Sequence, residues 1–452
     1  MAVYFYNTGS VYQPTTPNAA YTRLGTMVAS NDTTAPQYQY VMDVYESGSS
    51  EYIVRMVQTP DDITQSPSDT DRVIFDPSRI FQGELDFDNN WKVTGSIQPV
   101  NSVKTFELKI GEQYGTSTSS SITVYPNQAS MSLQVFPGVV NPADRYRSPL
   151  NTNLWYFDTS SFVGDGNAYL TNDPAAQTIY SYPDAEYAYL VNSTDYMTVT
   201  AFQDNIGTSG SISLRGVKVV NGVSGGTVVE DALTFPSSDA KFTTLGVGPQ
   251  NMADYLPDWK TAIDNGDINV IYSINDPGGF TIYINDLWDG VAPAPGGNIG
   301  LTGIKDPLKQ CSDEYTRFAF INKYGFWDYY NIYNPVRTTT ALERKNYNKP
   351  QLLTALSGFI TPQYYGAYTG YEQFYLRSTD TYSIDTDYID KETANWLEEL
   401  LESPEVYLQE GSDFVPIVLT NSSYEHNNST SRNKLFQYTI EWVYANPRRS
   451  RL

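Results

Sequence analysis

Residues 311–349 read CSDEYTRFAFINKYGFWDYYNIYNPVRTTTALERKNYNK. From Tyr315 to Ile321 the side chains alternate as a strand requires: Phe318 and Phe320 on one face, Tyr315, Ala319 and Ile321 on the other. Asn322-Lys323-Tyr324-Gly325 then reads as a hairpin loop, with Gly325 free to take positive φ. Residues 326–333 form a second strand, aromatic on both faces. Such a strand is buried on both sides, within a domain or against another chain. No catalytic signature lies in the stretch. It specifies a β-rich chain that makes large contacts.

The same alternation recurs upstream. Tyr38, Tyr40, Met42 and Val44 share a face, Glu46-Ser47-Gly48-Ser49 turns the chain, and residues 52–57 return it as a hairpin. Further short strands are expected at 73–75, 85–87, 105–110 and 122–125. Their spacing predicts a β-sandwich of the immunoglobulin or fibronectin kind over residues 36–148, without the immunoglobulin disulfide. Residues 1–35 show little periodicity and read as an N-terminal arm. Two prolines, Pro142 and Pro149, mark a boundary. Residues 149–250 form a second β domain, with turns at Gly164-Asp165-Gly166, Asn221-Gly222 and Gly225-Gly226. A third β domain, 251–350, carries a short helix near 258–264, a hairpin of 268–274 with 280–284, and the central aromatic hairpin.

The C-terminal domain, 351–452, opens with the tyrosine-rich residues 352–377, a strand or an interface loop. A helix follows at 391–402. Asp387 or Asp390 caps it, Ala394, Leu397, Leu400 and Leu401 share a face, and Pro404 lies just past its end. Closing strands are expected at 405–408, 415–419 and 436–443. No repeat of fixed period is present, which argues against a solenoid or propeller. The expected fold is mainly β and multidomain: tandem β-sandwich or β-barrel domains with one C-terminal α-helix. Phe318, Phe320, Trp327, Tyr329 and Tyr330 are expected in the core or at a contact surface, and Trp396, Leu397, Leu400 and Leu401 anchor the helix.

Composition narrows the function. Aromatic residues make up 14% of the 452 residues, with 38 tyrosines, a residue that gives rigid contact area and is enriched at interfaces. The formal charge is -23, which disfavours sequence-specific nucleic-acid binding and anionic membranes over most of the surface. An acidic wall suits a conduit for DNA better than a clamp on it. No stretch approaches the roughly 18 apolar residues of a spanning helix, so no membrane insertion is expected. The N-terminus lacks the basic and apolar regions of a secretory signal.

One Cys and one His leave no set for a zinc site of the usual kind, and no cofactor is expected. His426 sits in a polar loop and is read as exposed and idle. Asp313 and Glu314 near Cys311 oppose thiolate formation, so Cys311 reads as a small hydrophobe. Asp385, Asp387 and Asp390, or Glu398 and Glu399, offer carboxylates in the manner of a glycosidase. Near neighbours are expected by chance among 51 acids, and the chain is not expected to be an enzyme. Asp165-Gly166-Asn167 and Asn172-Asp173 offer calcium ligands, but their spacing fails the calcium-loop pattern. Arg448, Arg449 and Arg451 read as solvated, or paired with a neighbour's acidic patch.

Four stretches, in order, carry a resemblance. The first comprises residues 38–57, 73–80 and 105–115; the second is Gly246-Val247-Gly248-Pro249-Gln250-Asn251-Met252. The third is the 311 stretch through Arg337-Thr338-Thr339-Thr340 and Glu343-Arg344-Lys345-Asn346-Tyr347. The fourth runs from Trp396-Leu397-Glu398-Glu399-Leu400 through 403–407 and 416–418 to 438–445. Together they resemble virion structural proteins of tailed bacteriophages, especially crAss-like and other Bacteroidota phages. Phe320 stands where that family usually places Trp, which keeps the packing. The resemblance implies a tail or neck ring, hub or tube protein. It would be made in the host cytoplasm and built into the virion as a homo-oligomeric ring of about six or twelve copies among other tail or neck proteins. It implies no catalytic residues. The alternatives are a receptor- or glycan-binding adhesin of the tail and a polysaccharide-degrading enzyme.

Overall fold

The computed structural model describes residues 3–5, 18–19, 26–30, 33–60, 72–118, 120–138, 168–170, 187–203, 211–220, 223–234, 242–274, 280–287, 315–349, 353–356, 359–362, 370–386, 389, 391–421 and 436–446. The fold is mainly β, with six sheets and four α-helices among the described residues. The chain sorts into two compact units. One holds Met1–Leu308, Phe320–Tyr329 and Asn395–Ser403; the other holds Lys309–Ala319, Tyr330–Ala394 and Pro404–Leu452.

In the first unit, a five-stranded sheet runs in the order Asn18–Ala19, Thr123–Phe136, Lys104–Tyr114, Gln39–Glu46, Val54–Gln58. A three-stranded sheet of Val3–Phe5, Thr26–Ser30 and Arg72–Phe75 shares its core. Alternation explains the packing: Tyr40, Met42 and Val44, and Phe106, Leu108 and Ile110, are fully buried. Val3, Val28, Val73 and Phe75 close the same core from the smaller sheet. Part of the stretch read as an arm thus supplies three strands. Each is only two to five residues long, too short to show a period.

The expected strand at 85–87 is absent, and a helix, Ser78–Glu84, ends there. The cause is local. Asp76 Oδ1 accepts hydrogen bonds from the Ser78 backbone N–H at 3.1 Å and its hydroxyl at 2.5 Å, turning the chain into the helix and burying Phe81. Two further helices, Pro249–Tyr255 and Pro257–Asp264, each begin on a proline. Proline there loses no helical bond and presets φ. The second of them buries Trp259, Ala262 and Ile263.

A four-stranded sheet of Ala168–Leu170, Thr198–Gln203, Phe242–Gly246 and Ser96–Ile97 also belongs to the first unit. So does a five-stranded sheet of Tyr187–Val191, Phe280–Ile284, Val270–Ile274, Ser211–Val220 and Val223–Thr234. Its first pair is parallel, joining segments far apart in sequence. A seven-stranded sheet is ordered Trp327–Ile332, Thr316–Ile321, Val406–Glu410, Asp413–Leu419, Thr439–Tyr444, Gly370–Asp385, Arg337–Lys349. A separate hairpin pairs Leu353–Leu356 with Phe359–Pro362.

Tyr38 makes the N-terminal core sensitive to alkali. Its hydroxyl donates to Glu112 Oε2 at 2.9 Å, and Gln128 Nε2 donates to the other carboxylate oxygen at 2.7 Å. Burial, above all, holds the Tyr38 phenol well above its ordinary value of 10.0; the Glu112 carboxylate adds to this and a Ser30 hydrogen bond opposes it. The folded state therefore keeps this proton longer than the unfolded state. Its stabilisation is complete below pH about 10 and is lost as pH rises further. Denaturant melts at rising pH should show a steady fall in stability above that value. Tyr38→Phe should reduce the slope, and an unchanged slope would refute the assignment.

Candidate assembly surface

The aromatic hairpin folds inward. Its turn is held by Asn322, whose side-chain Oδ1 accepts the N–H groups of Tyr324 at 3.0 Å and Phe326 at 3.2 Å. Phe326 packs on Phe242 with ring centroids 5.2 Å apart. Trp327 donates its indole N–H to the Asp88 carbonyl at 2.9 Å and meets the Trp91 ring edge-on at 5.2 Å. The Tyr329 hydroxyl and Thr198 Oγ1 share a 2.7 Å bond. Phe320 lies 5.6 Å from Trp396, whose indole N–H donates to Asp328 Oδ2 at 3.0 Å. In the second unit, Phe318 meets Trp442 edge-to-face at 5.5 Å. Leu397 and Leu400 are buried, while Tyr330 and Leu401 are partly covered. The structure therefore places these aromatics in the interior of the chain.

Asn251 of the Gly246–Met252 motif also has an internal task. It is fully buried; its Oδ1 accepts the Met197 N–H at 2.8 Å, and its Nδ2 donates to the carbonyls of Trp91 at 2.7 Å and Val93 at 3.0 Å. One amide thereby ties together two distant backbone segments, a role that sequence reading did not assign to it.

The candidate chemical groups do not converge among the described residues. Asp385 accepts from Arg337 at 2.7 Å and from the Thr439 hydroxyl at 2.6 Å. Glu399 accepts the Lys323 N–H at 3.0 Å and pairs with its ammonium at 3.2 Å. Among the described residues, no group of three or more His, Cys, Asp or Glu side chains is placed to hold a metal ion. Cys311, Asp165, Asn167, Asp173, Asp387, Asp390, His426, Arg448, Arg449 and Arg451 lie outside the described residues, as does the boundary at 142–149.

The exposed feature is a long two-stranded ribbon in the second unit. Arg337–Lys349 pairs with Gly370–Asp385 over its whole length, with one register shift at Lys345/Asn346. The second strand pairs onward to Thr439–Tyr444 only from Tyr382 to Asp385. Among the described residues, the ribbon beyond Tyr382 has two strands only. At about 3.3 Å per residue it extends roughly 35 Å. Residues 335–348 are all exposed, and none of residues 371–383 is buried. Along this two-stranded part no described side chain is buried, and an isolated two-stranded ribbon is marginally stable in water.

Its two faces differ. One carries Thr340, Leu342 and Arg344, with Asp380, Ser378 and Leu376 directly across. Tyr347, two residues on from Lys345 in the strand without the extra residue, lies on the other face, and its ring meets that of Phe374, the extra residue at the shift, at 5.9 Å. Leu342 is 53% exposed and Phe374 59%. The opposite face holds Glu343 and Lys345, a 3.6 Å ion pair, with the Lys345 ammonium 5.1 Å from the Tyr375 ring centroid. Exposed apolar side chains thus stand among polar ones on both faces, Leu342 on the first and Tyr347 beside Lys345 on the second. Tyr371, near the outer end, is 82% exposed. The sequence from 350 to 371 has no charged residue. A scan against protein-family models and a search of curated proteins each return no match for this chain.

Proposed function

We propose that this chain is a structural component of a tailed-phage virion, an oligomeric ring in the tail or neck that connects virion parts and surrounds the DNA conduit. The observation that carries this reading is the exposed ribbon. A two-stranded ribbon with exposed Leu342, Phe374 and Tyr371 is surface suited to burial against a neighbour. The overall charge of -23 suits a wall that DNA passes without adhering. The ordered resemblance to phage virion proteins supplies the setting. No catalytic group is required for such a role.

The test is direct. Particles of the phage encoding this chain are purified, their proteins are quantified by mass spectrometry, and intact particles are labelled with antibody against the chain. The expected result is a fixed copy number and labelling at the tail or neck. A chain missing from purified particles would sink the reading. One observation favours a second role, the adhesin: Tyr371 and Phe374 are outward aromatic rings of the kind that stack on sugars. A glycan array with the full chain separates the two, since specific sugar binding lost in Tyr371→Ser would promote the adhesin.

A further inference from the structure

We infer that the ribbon is an arm that docks on the acidic surface of a second copy of this chain, through its exposed side chains Leu342, Phe374 and Tyr347 and the cations of the strand Arg337–Lys349. The inference rests on the ring reading and specifies how the ring would be joined. Charge complementarity selects the partner. Residues 337–385 hold five cations, Arg337, Arg344, Lys345, Lys349 and Arg377, and four acids, Glu343, Glu372, Asp380 and Asp385. That segment is +1, so the remainder of the chain is −24 of the total −23. An arm of this charge is attracted to the net-acidic remainder of a second copy, whereas two such remainders repel each other on balance. The edge strand alone, with four cations and Glu343, is +3.

The exposed apolar side chains decide against nucleic acid as the occupant. Phosphates would reward the cations but not Leu342 or Phe374, whereas a protein surface rewards both. Arm and acidic body are different surfaces of one chain, so the contact is heterologous. Such contacts form rings when the rotation between copies closes.

The experiment uses the full chain. Isotopically heavy and light chains are mixed and treated with a zero-length reagent that joins amines to carboxylates, and linked peptides are read by mass spectrometry. Heavy–light links from Lys345 or Lys349 to carboxylates outside 337–385 are expected. Leu342→Asp/Phe374→Asp should lower their yield at least tenfold, while Phe374→Leu should retain it. Both positions are exposed, so the melting temperature of each variant checks that the fold is intact. Links confined to other lysines, or an undiminished yield in the double variant, would overturn the inference. So would ribbon lysines that, in purified particles, link only to a different protein. A chain absent from particles would sink the virion role while leaving copy-to-copy docking standing, so the two failures are distinguishable.

Discussion

Leu397→Asp should unfold the first compact unit. Leu397 is 1% exposed, on the helix Lys391–Glu402, between the fully buried Trp396 and Leu400. Removing a buried leucine side chain costs about 2–5 kcal/mol. Leaving a carboxylate in its place without a partner adds several kcal/mol more, or forces the group to protonate at similar cost. A domain has roughly 5–15 kcal/mol in total, so half or more of the stability is at stake. Because this unit is larger than the 150–250 residues for which a kcal/mol shifts the midpoint by about 2–4 °C, the melting temperature should fall by roughly 5–10 °C. The affected unit is the one containing Asn395–Ser403. Leu401→Asp, on the partly covered side of the same helix, is the control and should cost far less. Calorimetry of both variants decides the matter: equal, small shifts would show that the helix is not packed through Leu397.

Gly325→Val should be the second most damaging change. Gly325 closes the aromatic hairpin at φ +80°, donating its N–H to the Asn322 carbonyl at 2.9 Å. A left-handed backbone costs an L residue about 1–2 kcal/mol, and more if β-branched. A Cβ at this position would also lie 2.5 Å from the Pro137 carbonyl oxygen and 2.6 Å from its carbon. Backbone cannot step aside as a flexible side chain does, so overpacking adds about 1–3 kcal/mol. Gly48 separates the two causes. It has φ +84° and nothing within 4 Å of its would-be Cβ. Gly48→Ala therefore measures the dihedral cost alone. Gly325→Ala should exceed it by the cost of the clash, and Gly325→Val should exceed both. Chemical denaturation of the three variants gives the order, and near-equal losses at Gly48 and Gly325 would remove Pro137 from the argument.

The central hairpin was legible because all its determinants are local. Phe318 to Ile321 alternate, Asn322 and Gly325 set the turn, and Trp327 resumes the strand within a few residues. The C-terminal helix was legible for the same reason, since Ala394, Leu397 and Leu400 recur at helical spacing and are buried together. The helix at Ser78–Glu84 was not, because a seven-residue helix shows barely two turns of period and its start depends on one aspartate. The ribbon was missed for a different reason. Arg337–Lys349 is polar on both faces over much of its length, so it lacks the alternation that marks a half-buried strand. Only its β-branched run Thr338-Thr339-Thr340 hinted at a strand.

By itself the sequence determined the fold class, the positions of the hairpins and C-terminal helix, and the acidic balance. These follow from short-range periodicity and from charge, which need no knowledge of partners in space. Tertiary structure decided which aromatics are core and which are surface. The 14% aromatic content reads as contact area, yet Trp259, Trp396 and Trp442 are each 1% exposed, while Tyr371 and Phe374 stand outside. It also decided the parallel pairing of Tyr187–Val191 with Phe280–Ile284 and the partner of Arg337–Lys349. Burial and strand pairing are fixed by segments that meet only after the chain closes long loops, and no local pattern records which segments those are.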